Sequence, residues 1–108
     1  MNDLFITKTS EYNFVYKNAN TLYSKFFVIK YINSDHFRVG IIVSKKVGNS
    51  VVRHSVKRKV KEVIRNNSKI ISQKFNFVLI SKPNSSSASF SSLNKDLYIN
   101  LVKKIGGK

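Results

Sequence analysis

Between residues 50 and 66 the chain takes on a helical period: Val52, Val56, Val60, Val63 and Ile64 follow one another at steps of four, four, three and one. On an α-helix those steps put all five side chains on one stripe. Arg53, Lys57, Lys61 and Arg65 repeat every four residues and form a column beside it, with Arg58 next to the column. Such a helix packs one face and presents a row of cations on the other, so it needs a second layer to rest on. Gly48-Asn49-Ser50 supplies a tight turn and two possible N-caps before it, and Asn66-Asn67 ends it. Lys45 and Lys46 add charge to the turn leading in. The outward N–H groups of the helix start and the positive end of its dipole favour a phosphate there.

The other elements follow from local pattern. Tyr12, Val15 and Tyr16 fit one face of a short helix over Thr9–Asn18, with Thr9 or Ser10 as N-cap, and Asn18-Ala19-Asn20 breaks it. Lys25 to Ile32 is dense in β-branched and aromatic residues and predicts a strand. Asn33-Ser34-Asp35 supplies a turn, so Phe37 to Ser44 reads as an antiparallel partner strand in a meander. Phe75 to Ser81 is an apolar run of buried-strand length. Pro83 and the serine-rich stretch from Ser85 to Ser92 predict a loop. Leu97, Leu101 and Ile105, at steps of four, place a last amphipathic helix around Leu93 to Lys104, before a frayed tail at 105–108. The order is α-β-β-(β)-α-β-α, which predicts a single-domain α+β sandwich with helices on at least one face of the sheet.

Charge narrows the partner. The 108 residues, one domain's worth, carry 20 lysines and arginines against 5 acids, a formal net charge of +15. That self-repulsion works against a compact state, and a polyanion is what would neutralise it. Nucleic acid fits better than a membrane surface, because the apolar residues read as core and there is no lipid-anchor signal or membrane-length apolar run. The start of the chain lacks the charged, apolar and small-residue pattern of a secretory signal. With no cysteine, disulfides and thiolate metal sites are excluded, and the chain is expected to be cytoplasmic.

Charge runs usually form solvated helix faces. Such faces mix signs to gain i,i+4 pairs, whereas Glu62 is the only acid between Lys45 and Arg65. The column therefore costs stability unless an anion sits on it, which favours nucleic-acid contact without separating RNA from DNA. Protein-borne catalysis has little support. The acids Asp3, Glu11, Asp35, Glu62 and Asp96 are scattered, with no close pair for acid/base or two-metal work, and His36 and His54 fall on different predicted elements. The serine-rich loop carries no nucleophile motif.

The run S-K-K-V-G-N-S-V-V-R-H-S-V-K-R-K-V-K from Ser44 to Lys61 resembles the arginine-rich signature of the bacterial ribonuclease P protein family, roughly S-K-K-x-G-N-A-V-x-R-N-R-x-K-R-x-x-R. Ser44, Lys45, Lys46, Gly48, Asn49, Val51, Arg53, Lys57 and Arg58 match it. His54 and Ser55 depart from the family's Arg-Asn-Arg core, and Lys61 keeps the final charge without the bidentate fork. Tyr12 and Tyr16 match paired aromatics of the family's first helix, and Arg38-Val39-Gly40 matches its strand before the signature.

The resemblance implies an α-β sandwich with a left-handed β-α-β crossover around the basic helix, a handedness that is rare. It implies a subunit of the enzyme that removes the 5′ leader from precursor tRNA, with the chemistry in a catalytic RNA that holds Mg²⁺ and no cofactor on the protein alone. Lys45, Lys46, Asn49, Arg53, His54, Lys57, Arg58, Lys61 and Arg65 would contact that RNA. Tyr12, Tyr16 and Phe27, with Lys30 nearby, would line a cleft for the single-stranded leader. A small ribosomal protein is the alternative, since composition alone does not separate the two. A DNA reader would need a dimer interface or a second recognition helix, and neither is visible.

Overall fold

The structure is a computed structural model that describes residues 4–107; Asp3 and Lys108 lie outside the described residues. Its elements are α1 (Thr9–Asn18), β1 (Asn20–Tyr23), β2 (Phe27–Asn33), β3 (Arg38–Ile42), α2 (Ser50–Arg65), a single turn α3 (Ser68–Ile71), β4 (Phe75–Ser81), a 3₁₀ turn (Pro83–Ser87) and α4 (Phe90–Leu97), which runs on as a π-helix (Tyr98–Ile105). The four strands form one sheet in the order β1-β2-β4-β3. This is the expected α+β sandwich, with helices on both faces.

The meander is corrected. β2 pairs antiparallel with β4, and β3 pairs parallel with β4, so β4 separates the two strands expected to be neighbours. The connection after β2 is no hairpin: it runs past the start of β4, where the Ser34 N–H donates to the Lys74 carbonyl at 3.0 Å. β4 can take the central place because it is apolar on both sides, with Phe77, Val78 and Leu79 all fully buried. Together β3, α2 and β4 make a parallel β-α-β crossover around the basic helix.

Strand alternation assigns the two faces. Phe27, Ile29 and Tyr31 of β2, Val39 and Ile41 of β3, and Phe75, Phe77 and Leu79 of β4 meet Val56, Val60, Val63 and Ile64 of α2 and Leu93, Leu97 and Leu101 beyond it in the main core. The valine stripe therefore packs as its period demands, with Val52 half-buried at its start. The opposite face carries Val28, Lys30, Gly40 and Val78 under α1, whose Val15 is buried.

Several boundaries move for local reasons. α1 is capped by Lys8 without a side-chain bond, in place of Thr9 or Ser10. β1 is the third strand that the expected order left open, and α3 was not expected. Most of the serine-rich loop is helical, in the 3₁₀ turn and the start of α4: the Ser89 hydroxyl accepts from the Ser92 N–H at 3.1 Å and starts α4 before Leu93. The last helix changes type at Tyr98, where the Asn100 amide donates at 2.7 Å to the Asp96 carbonyl, the acceptor an α-helix would offer to Asn100's own N–H. Ile105, expected in the frayed tail, is 3% exposed and belongs to the core.

The β1–β2 turn is tied to α4 by one carboxylate. Asp96 accepts from the Ser24 hydroxyl at 2.8 Å, the Phe26 N–H at 3.1 Å and the Lys25 N–H at 3.3 Å. Ser24 in turn accepts from the Phe27 N–H at 3.0 Å. Hydrogen bonds to an ionised acceptor contribute more than neutral ones. Asp96→Ala should lower unfolding stability by about 2 kcal/mol with an unchanged denaturant slope, measured by urea titration; a loss below ~0.5 kcal/mol would remove the clamp.

Candidate nucleic-acid interface

The lead-in turn is built by its own serine. The Ser44 carbonyl accepts from the Val47 N–H at 3.1 Å and the Ser44 hydroxyl from the Lys46 N–H at 3.3 Å. This tight turn buries Val47 and leaves Lys45 and Lys46 exposed. Gly48 has to be small, because a Cβ there would fall 2.8 Å from Val52 Cγ1. Asn49 is the N-cap, its side-chain oxygen accepting from the Val52 N–H at 3.0 Å. That oxygen is therefore occupied, leaving the Asn49 side-chain amide for other contacts.

From this start α2 carries its cations in a graded series. Arg53 sits at the edge of the packed face, half-buried, its Nε donating to the Gly48 carbonyl at 3.2 Å. Lys57, Arg58 and Arg65 are exposed, and His54 is exposed beside Arg58. Ser50, Val51, His54, Ser55 and Arg58 line one open groove; His54, Lys57, Arg58 and Lys61 line the next. The positions that depart from the family signature, 54 and 55, thus both lie on the cationic surface. The apolar stripe turns one side of the helix inward and leaves this side free.

On the other sheet face the side chains fall in rows fixed by strand register. Gly40, Val78, Lys30 and Thr21 form one row, and Ile42, Ile80, Val28 and Tyr23 the next. Tyr12 lies against Gly40, where a Cβ would come within 2.8 Å of its ring, and its hydroxyl donates to the Ile6 carbonyl at 3.2 Å. Tyr16 lies over β2, with Lys30 Nζ 6.0 Å from the ring centroid. Glu11, next to Tyr12 in the chain, pairs with Arg38 at 3.2 Å. Both tyrosines thus contact the first row, at Gly40 and Lys30; in the next row Val28, Ile42 and Ile80 are half-buried and Tyr23 is 70% exposed. Burial raises the pKa of both phenols above the ordinary tyrosine value, so they are neutral near pH 7 like any tyrosine and stay so further into alkaline pH.

Phe27 does not join them. It is 0% exposed and points to the α2 side, in phase with Ile29, so it is core. An odd and an even position of one strand face opposite ways; with Lys30 on the α1 side, the apolar residue beside it is Val28. Val28, in one row with Tyr23, Ile42 and Ile80, is thus the β2 residue on the α1 side where Phe27 was expected, and alternation along β2 was the signal that could have found it. Tyr12, Tyr16 and Lys30 do come together.

His36 is exposed on the loop after β2, and His54 is exposed on α2. Among the described residues no three His, Asp or Glu side chains converge to hold a metal ion. No helix among them is long and apolar enough to cross a membrane.

Compared with known proteins, the sequence matches the family model for Ribonuclease P over residues 1–106. The chain belongs to that family. A ribonuclease P protein component from Streptococcus agalactiae is 33% identical over 103 residues, covering 94% of this chain and 93% of the relative. One from Clostridioides difficile is 37% identical over 102 residues, covering 92% and 89%. In three dimensions the ribonuclease P protein of Staphylococcus aureus superposes with a TM-score of 0.79 at 28% identity, over 93% of each chain. Relatives named ribonuclease P protein component thus share the sequence of this chain, and a solved ribonuclease P protein shares its fold.

The contact at Gly40 gives a local test of how α1 is seated. Gly40→Ala should push the Tyr12 ring off the sheet and cost about 1 kcal/mol in thermal or urea unfolding. In a Tyr12→Ala background the same change should cost close to nothing, and equal costs in both backgrounds would show that Tyr12 does not rest on Gly40.

Proposed function

We propose that this chain is the ribonuclease P subunit that grips the catalytic RNA with α2 and its lead-in turn and holds the 5′ leader of precursor tRNA along α1. The observation that carries the reading is the exposed, nearly single-signed face of α2 on a family fold. Lys45, Lys46, Arg53, Lys57, Arg58, Lys61 and Arg65 lie along one continuous turn-and-helix, with Asn49 and His54 between them, and Glu62 is the one acid in the run. Stacked like charges are mildly destabilising on their own and become favourable once phosphates displace their counterions.

The tyrosine face suits a different nucleic acid. Neutral phenol rings offer π-surface to unstacked bases and Lys30 offers charge to the backbone, a combination that holds a single strand with little sequence preference. Tyr12, Tyr16 and Lys30 would do this together with Tyr23, Val28, Ile42 and Ile80. The chemistry belongs to the RNA, with Mg²⁺ on the RNA, and no step is assigned to a metal on the protein. The protein's work is to bind and orient, and its compartment is the cytoplasm.

Cleavage of a precursor tRNA by a bacterial ribonuclease P RNA at low Mg²⁺, with and without the protein, tests this directly. Release of the 5′ leader should depend on the protein; equal cleavage without it would overturn the assignment. Replacing Arg53, Lys57 and Arg58 together by alanine should weaken RNA binding and make its salt dependence shallower by about 2 to 3 in log–log slope. An unchanged slope would take α2 out of the interface. Tyr16→Ala should weaken precursor binding by the assembled enzyme by about 1 kcal/mol or more while sparing mature tRNA; equal losses would return Tyr16 to a packing role.

A further inference from the structure

The segment before α1 does more than close the sheet edge. Leu4, Phe5 and Ile6 run alongside β3 as a short parallel bridge: the Val39 N–H donates to the Leu4 carbonyl at 2.8 Å and the Ile6 N–H to the Val39 carbonyl at 2.8 Å. Two further bonds hold the segment from the α1 side. Arg38 Nη2 donates to the Phe5 carbonyl at 3.1 Å while paired with Glu11, and the Tyr12 hydroxyl donates to the Ile6 carbonyl. Phe5 is therefore fixed in place by its backbone on both sides.

Its ring is aimed at α2. Lys61 Nζ stands 5.4 Å and the Arg65 guanidinium carbon 5.3 Å from the ring centroid, both within cation–π range. Lys61 and Arg65 are an i,i+4 pair of like charge, which without a shared neighbour would repel and sample many rotamers. One ring holding both sets their separation and keeps the distal half of the cationic column ordered, away from the capped start of the helix. Neither period nor charge pattern in α2 reveals this, because the residue responsible lies in another part of the chain.

We propose that Phe5 is a positioning residue for the RNA-facing cations Lys61 and Arg65, so that the N-terminal segment preorganises the far end of the interface. The inference rests on the reading of α2 as the RNA-binding face. Phe5 itself contributes no charge to the phosphates. Removing its ring leaves the number of released counterions unchanged and returns to the binding step the entropy of ordering two long side chains.

The test compares wild type, Phe5→Leu and Phe5→Tyr for affinity to a ribonuclease P RNA across a salt series, with unfolding curves for each. Phe5→Leu should bind about three- to tenfold more weakly at every salt concentration with the wild-type slope, and Phe5→Tyr should bind like wild type. In a Lys61→Gln/Arg65→Gln background, Phe5→Leu should change affinity less than twofold. A Phe5→Leu variant that folds and binds like wild type overturns the proposal, as does an equal loss in the double-glutamine background. If Phe5→Leu does not fold, the wild-type protein still decides. Its Lys61 Hε and Arg65 Hδ proton resonances should be shifted upfield by the ring, and ordinary values overturn the proposal. Failure of the wild-type protein to bind the RNA at all would instead count against the reading of α2.

Discussion

Everything in this molecule is arranged around a strand that must be dry on both sides. β4 enters the sheet between β2 and β3 and buries Phe77 and Leu79 toward one helical layer and Val78 toward the other. A strand with that composition cannot sit at an edge facing water, so its place dictates two layers of helix. It also pushes β3 to the sheet margin, and that displacement has functional consequences. β3 feeds the lead-in turn and α2, so the basic helix is delivered along an edge rather than over the middle of the sheet. The edge would otherwise expose unpaired backbone groups. Residues 4–6 cover it, and in doing so bring an aromatic ring to the cationic helix.

The second organising constraint is the separation of charge from packing within single elements. α2 solves it by period: four buried apolar residues leave the opposite arc free for cations. β2 solves it by alternation, since Lys30 shares a strand with Phe27 and Ile29 but points to the other face. Among the described residues the one ion pair, Arg38 with Glu11, is spent on seating α1 and the N-terminal segment. Little negative charge is left to compensate the basic face internally. The imbalance is therefore a property of the folded surface as well as of the composition, and a polyanion is the partner that relieves it.

Elements whose pattern is strong and local could be read directly. The period in residues 50–66 gives α2 to within a residue, and its cap falls on Asn49, one of the two residues expected. The apolar run Phe75–Ser81 gives β4 with its bounds. What could not be read was decided by pairs far apart in sequence. Nothing in Asn33-Ser34-Asp35 announces that the chain must step over a strand 40 residues later, so a turn signal predicts a hairpin that does not form. β1 has only Leu22 as a core-facing apolar residue and exists because β2 offers it a partner. The π-helix coincides with an asparagine amide bonded to the Asp96 carbonyl, which no periodicity expresses.

The candidate site divides along the same line. The cationic face was legible because a helix displays its charges at a fixed angle to its stripe, whatever it packs against. The aromatic face was legible only in part: Tyr12 and Tyr16 follow from helix spacing, whereas the sheet residues beside them depend on which strand face α1 covers. Lys30, the one charged residue of its strand, was enough to choose that face, and the alternation rule then puts Phe27 in the main core and Val28 on the α1 side. A single polar position in a strand thus carries more information about a neighbouring site than an aromatic does, because an aromatic is at home on either side of a sheet and a lysine is not.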